Sequence, residues 1–322
     1  MPAARPLLSV IVIGYKMARQ LANTLYTLSS TYQRDVSEQD YEVIMVENAS
    51  SDNFDESILD ELGDNFHFFR RDETAATPVP AMNFAFQQCR GEIVGLIIDG
   101  ARMVTPGVIH YVLMSQRMYP NALTAIPGYQ LGSKPQNESA LEGYCEAVEQ
   151  QLLDSVDWCN DGFELFGISS ISGANPNGYL QPIMECNCLF APMDSFREIG
   201  FADPRFTLRG GGAINLHMFR SLGLLPQSRL VVLPGEGSFH QYHGGVTTSG
   251  HTEVKNERDQ HRAQLQDIWK NNFHALRREP VLLGAVSPQA LPYLQLSANK
   301  AQLRFKRLKH LGLPAWEDDI PA

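Results

Sequence analysis

An apolar run that stops on an acid restricts this chain more than any other feature. Residues 92–98 (EIVGLII) have the length and β-branched content of a strand buried on both faces. The run breaks at Asp99-Gly100, where a carboxylate emerges just as a glycine frees the backbone to turn. Thr105 and Pro106 then supply an N-cap and a first helical residue. A strand, an acid, a turn and a helix start form a unit of a parallel α/β sheet, and such sheets bind ligands at the carboxyl ends of their strands. By position alone, Asp99 is either a ligand-binding carboxylate or a turn cap.

The same unit recurs upstream. Leu8 to Ile13 (LSVIVI) reads as a buried strand ended by Gly14, and Met17 to Ser30 as a helix with Leu21, Leu25 and Leu28 at helical spacing. Tyr41 to Val46 is a second strand closing on Glu47-Asn48, Phe66 to Phe69 a third, and Val79 to Cys89 a helix with Pro80 in its first turn. This alternation predicts an α/β fold with a mostly parallel, doubly wound central sheet. Right-handed crossovers bring the ends of strands one, two and four to one edge. Gly14-Tyr15, Glu47-Asn48 and Asp99 are therefore expected to face a single crevice.

Beyond a helix from Pro106 to Met118 the pattern weakens. Asn121 to Ile126 suggests a strand, Ser139 to Asp154 a helix, and Asp161 to Tyr179 a long Gly-, Ser- and Asn-rich loop of the kind that forms binding surfaces. Pro182 to Phe190 is expected as a strand, with Cys186 and Cys188 as buried thiols rather than metal ligands. Gly210, Gly211 and Gly212 open a helix but have neither P-loop nor dinucleotide spacing, which favours a packing turn over an anion site.

Arg229 to Leu233, the last clear strand, leads into PGEGSFHQYHGGVTTSG, residues 234–250. Its composition suits a loop folded over a polar ligand. His240 and His243 can share a divalent ion, or one can contact a phosphate whose oxygens are held by the amides of Gly244 and Gly245, with Thr247 beside them. A charged helix from Thr252 to Phe273 and a basic helix from Ser297 to Leu311 follow. The basic helix can dock on its own domain, pack on a partner, or lie on an anionic membrane surface.

The 322 residues divide into a domain over 1–251 and a C-terminal helical extension over 252–322. Hydrophobic content of 43% supports a sizeable core, and a net charge of −10 argues against general nucleic-acid binding. No apolar run approaches the roughly 20 residues that span a bilayer. The early first strand and the five cysteines without framework spacing point to a cytoplasmic chain.

Three ordered segments carry a resemblance. LSVIVIGYKMARQLANTLYTLSS, YEVIMVENASSD and the Asn83-containing stretch leading into GEIVGLIIDGARMVTPG resemble the successive motifs of family 2 glycosyltransferases with a GT-A (nucleotide-diphospho-sugar transferase) fold. The likeness is good from Leu8 to about Met118 and looser from Pro182 to Leu222. It implies a donor half over about 1–118 and an acceptor half over about 119–251.

The resemblance implies transfer of a sugar from a nucleotide diphosphate sugar, UDP-linked by preference, to a glycan or other hydroxyl acceptor. It further implies an inverting reaction in surface polysaccharide or glycoconjugate assembly, with Mn2+ or Mg2+ bridging the diphosphate. Gly14, Tyr15, Glu47, Asn83, Asp99, Gly100, Gly244, Gly245 and Thr247 are the expected donor-binding residues. Asp99 matches the first aspartate of the D-x-D motif, but Ala101 stands where the second belongs. Hard cations want about six oxygen-type ligands, so His240 and His243 are expected to complete a metal site with Asp99. The family's Gly-Gly-Glu-Asp segment, which carries the general base, is replaced by Gly211, Gly212 and Ala213, with Asn215 beyond. Glu185 is the nearest substitute, ahead of Asp203 and Glu236. These departures leave open a non-catalytic GT-A-like protein that binds a nucleotide sugar or a glycan.

Overall fold

The computed structural model describes residues 6–48, 50–51, 54–211, 213–244, 253–271 and 273–316. The chain opens with β1 (Leu8–Gly14), α1 (Ala18–Thr27), β2 (Tyr41–Asn48), the short α2 (Leu59–Leu62), β3 (Phe66–Arg71), α3 (Val79–Gln88) and β4 (Ile93–Ile97). It continues through β5 (Arg102–Val104), α4 (Val108–Met118), β6 (Ala122–Ala125), β7 (Gly128–Leu131), α5 (Gln136–Ser139), α6 (Glu146–Asp154) and β8 (Ser169–Ile171). Then come β9 (Cys188–Pro192), α7 (Met193–Glu198), α8 (Ile214–Leu224), β10 (Arg229–Val232), β11 (Ser238–His240), α9 (Glu253–Trp269), β12 (Val281–Leu282) and α10 (Leu291–His310).

Eight strands form the central sheet in the order β12-β10-β6-β9-β4-β1-β2-β3. β1 pairs in parallel with β2 on one side and β4 on the other, while β9 runs antiparallel between β4 and β6. The apolar runs are buried on both faces because the sheet divides two cores. Ile11 and Ile13 of β1 face one, with Val94 and Leu96 of β4, and Leu8, Val10 and Val12 face the other. Gly95 interrupts the run in β4 for a packing reason: a Cβ there would collide with the ring of Phe190 on β9. The winding runs outward from β1 to β3 and then returns to β4 on the opposite side of β1. That reversal opens a crevice at the carboxyl ends of β1 and β4.

A second sheet, of order β5-β11-β7-β8, faces this crevice. Its register sets Arg102, His240, Gln130 and Ser170 in one row across four strands. The adjacent row, pointing to the opposite face, is Met103, Phe239, Tyr129 and Ile171. The apolar row packs on Leu165, Phe166 and Ala290 to make a third core. The polar row is free to build a site.

Several expectations for the second half are corrected. Gly143, at φ +98°, breaks the helix expected over residues 139–154 into α5, a turn of 3-10 helix and α6. Residues 161–179 are not all loop, because Gly162–Ile168 form a 3-10 helix that feeds β8. The strand expected from Pro182 begins only at Cys188. Asn175 binds both the Met184 N–H and the Glu185 carbonyl through its side chain, at 2.9 Å each, and so takes the place of a strand neighbour. The C-terminal extension is not purely helical, since β12 joins the edge of the central sheet beside β10. No helix among the described residues is long and apolar enough to cross a membrane. All five cysteines are free, and Cys186 and Cys188 are buried.

Candidate active site

The ends of the parallel strands converge as the crossover rule requires. Gly14 pairs with Glu47 in the β1–β2 register, and the Gly100 N–H donates to the Ile13 carbonyl at 2.8 Å, tying the end of β4 to that of β1. Gly100 lies so close to Ile13 and Leu21 that a Cβ would meet both at 2.8 Å. Glu47 accepts from the Ser50 N–H at 2.9 Å, with the Arg70 guanidinium 4.0 Å from its other oxygen. Tyr15 projects from the rim, half exposed. Asn83 donates its amide to the Ala202 carbonyl at 2.9 Å and accepts from the Ala202 N–H at 3.0 Å, so both ends hold that turn. Gly244 adopts φ +64° on the rim, and Gly245 and Thr247 lie outside the described residues.

Asp99 leaves the end of β4 and meets two histidines. His240 Nε2 is 2.8 Å from Asp99 Oδ2, His243 Nε2 is 3.7 Å from the same oxygen, and the two Nε2 atoms are 3.2 Å apart. His240 is not in a loop, as its surroundings in sequence suggested. It is the last residue of β11, paired with Arg102 of β5, and its side chain is 5% exposed. One carboxylate oxygen and two imidazole nitrogens thus form a triangle among the described residues. Ligands about 2.1 Å from a divalent ion at right angles lie about 3 Å apart, so the edges suit three facial positions around one cation.

The surrounding hydrogen bonds fix how this triangle is protonated. His240 Nδ1 lies 2.7 Å from Gln136 Oε1. Gln136 Nε2 faces only acceptors: the His240 carbonyl at 3.0 Å, and the Leu131 carbonyl and Glu149 Oε2 at 3.3 Å. The amide is therefore oriented with its oxygen to the ring, His240 carries its proton on Nδ1, and Nε2 presents a lone pair toward Asp99. Burial pushes the pKa of His240 down to about 4 against the pull of Asp99, which keeps the ring neutral. Burial alone would raise Asp99, but the two histidines outweigh it and hold the carboxyl well below its usual range. His243 goes the other way. Burial opposes its charge, yet Asp99 wins and raises its pKa above the ordinary value. A lone pair on neutral His240 aimed at a carboxylate is repulsive unless a cation lies between them. The donor set fits a divalent ion.

Glu149 pins the backbone that presents the histidines. Buried beside α5, it accepts from the Tyr242 N–H at 2.6 Å and from Arg19 of α1 at 2.9 Å. Neither Gln136 nor Glu149 was legible as a site residue. They approach His240 only through the pairing of β7 with β11, which no local motif announces.

On the other side of the crevice, antiparallel β9 starts where β4 ends, Cys188 opposite Ile97. Glu185, just before β9, accepts from Asn187 at 3.2 Å and from Asn215 at 3.1 Å. Burial raises its pKa, with Arg102 and the two asparagines opposing. The alternatives are committed elsewhere. Asp203 is chelated by Arg205 on the surface. Glu236 is buried under α4, binding the Thr105 hydroxyl and, at 3.1 Å, the Gly107 N–H.

Residues 9–136 match the family described as "Glycosyl transferase family 2". Over that stretch the chain is similar to family 2 glycosyltransferases. The GT-A fold recurs in solved structures at low identity. S. aureus TarS 1-349 in complex with UDP is 13% identical with a TM-score of 0.51, over 95% of this chain and 72% of that one. The mannosyltransferase PcManGT from Pyrobaculum calidifontis, in complex with GDP-Man and Mn2+, is 16% identical with a TM-score of 0.51, over 92% and 70%. Against the longer S. aureus TarS chain the match covers 82% of this chain and 44% of that one, at 12% identity and a TM-score of 0.50. No curated protein matches significantly by sequence.

Proposed function

We propose that the protein transfers a sugar from a UDP-linked donor to a hydroxyl of a glycan or glycoconjugate, with inversion, in surface polysaccharide assembly. The observation that carries this reading is the convergence of Asp99, His240 and His243 at the crevice of a family 2 domain. A relative of the same fold is complexed with GDP-Man and Mn2+, and another with UDP or UDP-GlcNAc, which supports a nucleotide-sugar donor and a divalent cation here.

Asp99, His240 and His243 would hold the cation, which supplies charge neutralisation for the departing diphosphate. Gly14, Tyr15, Glu47 and Gly100 form the strand-end floor against which the nucleotide would lie. Glu185 would take the proton from the acceptor hydroxyl. Its burial makes it a stronger base than a solvated carboxylate, and its two asparagine donors hold it in place. Asn215 belongs to the segment that, by resemblance, should carry the base, and it hydrogen-bonds Glu185 instead. A single displacement needs one base and one stabilised leaving group, which favours inversion.

The test is donor hydrolysis and transfer with UDP- and GDP-sugars, with Mn2+ or Mg2+, over a range of acceptors. Absence of both turnover and nucleotide binding would sink the reading. Ala101 favours a second one, a non-catalytic nucleotide-sugar or glycan-binding protein. Calorimetric binding without turnover, unchanged in Asp99→Ala and Glu185→Gln, would establish it. We further propose a cytoplasmic site of action with α10 against the membrane, because Lys300, Lys306, Arg307 and Lys309 are exposed there beside Leu303 and Phe305. Failure to co-sediment with anionic vesicles would remove that contact.

A further inference from the structure

Arg102 is buried without a partner. Its residue exposure is 7%, its Nε is sealed from solvent with no hydrogen bond, and its side chain makes no hydrogen bond or ion pair with any described residue. A guanidinium largely withdrawn from water is costly unless it is paired, which makes this one a place for an anion that the chain itself does not supply. The nearby acids form no ion pair with it: Glu185 is bonded by Asn187 and Asn215, and Asp99 turns to the two histidines.

Its position is specific. Arg102 stands at the edge of the polar row of the second sheet, directly beside His240. The same face holds two further polar atoms that are buried and unbonded, Ser170 Oγ and Ser238 Oγ. The Arg102 charge bears on Glu185 to one side and on His240 and His243 to the other. It therefore stands within electrostatic reach of both the two histidines and the carboxylate beside β9.

We propose that Arg102 is an oxyanion-binding residue of this crevice, holding a negatively charged oxygen that arrives with the substrate. A guanidinium offers the paired donors that phosphate and carboxylate oxygens accept. The oxyanion comes either from the β-phosphate of the nucleotide or from the carboxylate of an acidic sugar. The inference rests on the sugar-transfer reading for the identity of the ligand, and on the unpaired buried charge for its existence.

The variant Arg102→Met separates function from structure, because replacing an unpaired buried charge by an apolar side chain of similar length relieves the ligand-free protein. The expected result is an unchanged or higher melting temperature without ligand, together with at least a tenfold loss of affinity for an anionic probe. With manganese present, a loss for UDP but not UMP assigns the β-phosphate, and a loss confined to UDP-glucuronic acid relative to UDP-glucose assigns a carboxylate. Arg102→Lys should retain part of the affinity. If the wild type binds no nucleotide, the sugar-transfer reading fails. Arg102 is then judged by the thermal shift from pyrophosphate or glucuronate, which must be present in the wild type and lost in Arg102→Met. A lower ligand-free melting temperature in Arg102→Met, affinities equal to the wild type, or no shift from any of these anions overturns the assignment.

Discussion

Gln136 accepts the Nδ1 proton of His240 at 2.7 Å, while its own amide nitrogen is held by three acceptors. This contact places a proton on Nδ1, so the neutral His240 ring turns a lone pair, not a proton, toward Asp99. With its lone pair so directed, the Asp99–His240–His243 triangle fits a cation.

Removing that contact should weaken the site without touching it. Gln136→Met is expected to lower manganese affinity by about 10–100-fold, the range for an outer partner of a metal-binding histidine. Asp99→Ala, His240→Ala and His243→Ala should each cost at least as much. Calorimetric titration of manganese, with and without UDP, measures all four. A Gln136→Met variant with wild-type affinity would rule out the tautomer argument.

Proton and cation should compete at His243. Its pKa is raised, so it carries a proton above the ordinary histidine range until the pH climbs past its folded value. The protonated ring repels a cation, and manganese affinity should therefore rise with pH through and somewhat above 6.5. His240, already neutral, adds nothing in that window. In His243→Ala the residual affinity should be nearly flat with pH. An equally steep profile in that variant would show that another group titrates.

Glu185→Gln keeps the shape of the wild type and one of its two asparagine contacts but cannot accept a proton. Loss of a general base typically costs about 10²–10⁴-fold. We expect that loss in kcat, with nucleotide affinity within a fewfold of wild type. A fall in UDP affinity matching the fall in turnover would place Glu185 in donor binding instead.

Glu236 should tie stability to pH. Burial raises its pKa to about 7, against the bonds from Thr105 and Gly107. A carboxyl with a raised folded pKa holds a proton that the unfolded chain has already released. Its contribution is complete below about 4.5 and is lost as the pH rises through about 7. The span is worth roughly 3 kcal/mol at most. Glu236→Gln should flatten stability between those limits, measured by urea unfolding at several pH values. A loss of the same size in the variant would assign it to another group.

The N-terminal half was legible because its information is local. The apolar runs at 8–13, 41–46 and 92–98 can be buried only on both faces of a parallel sheet, and their ends fall together whatever the later chain does. Asp99 and the two histidines were likewise readable, the first as a strand-end acid and the others by their chemistry. The contact of Asn83 with Ala202 was not readable, because a side-chain amide serves a backbone turn as readily as a ligand and the two residues meet only in the fold.

Sequence alone thus determined the parallel strands β1 to β4 and the edge at which they end, since hydrophobic period and turn residues act within a few positions of the chain. The second sheet was decided only by tertiary structure. Its strands are three or four residues long, too short for a period to register, and two of its three pairings cross more than a hundred residues, as Arg102 with His240 does. That pairing sets His240 against Gln136, fixes which nitrogen faces Asp99, and leaves Arg102 buried and unpaired beside them. Asp99 was visible as a carboxylate in search of partners, and long-range strand pairing chose them.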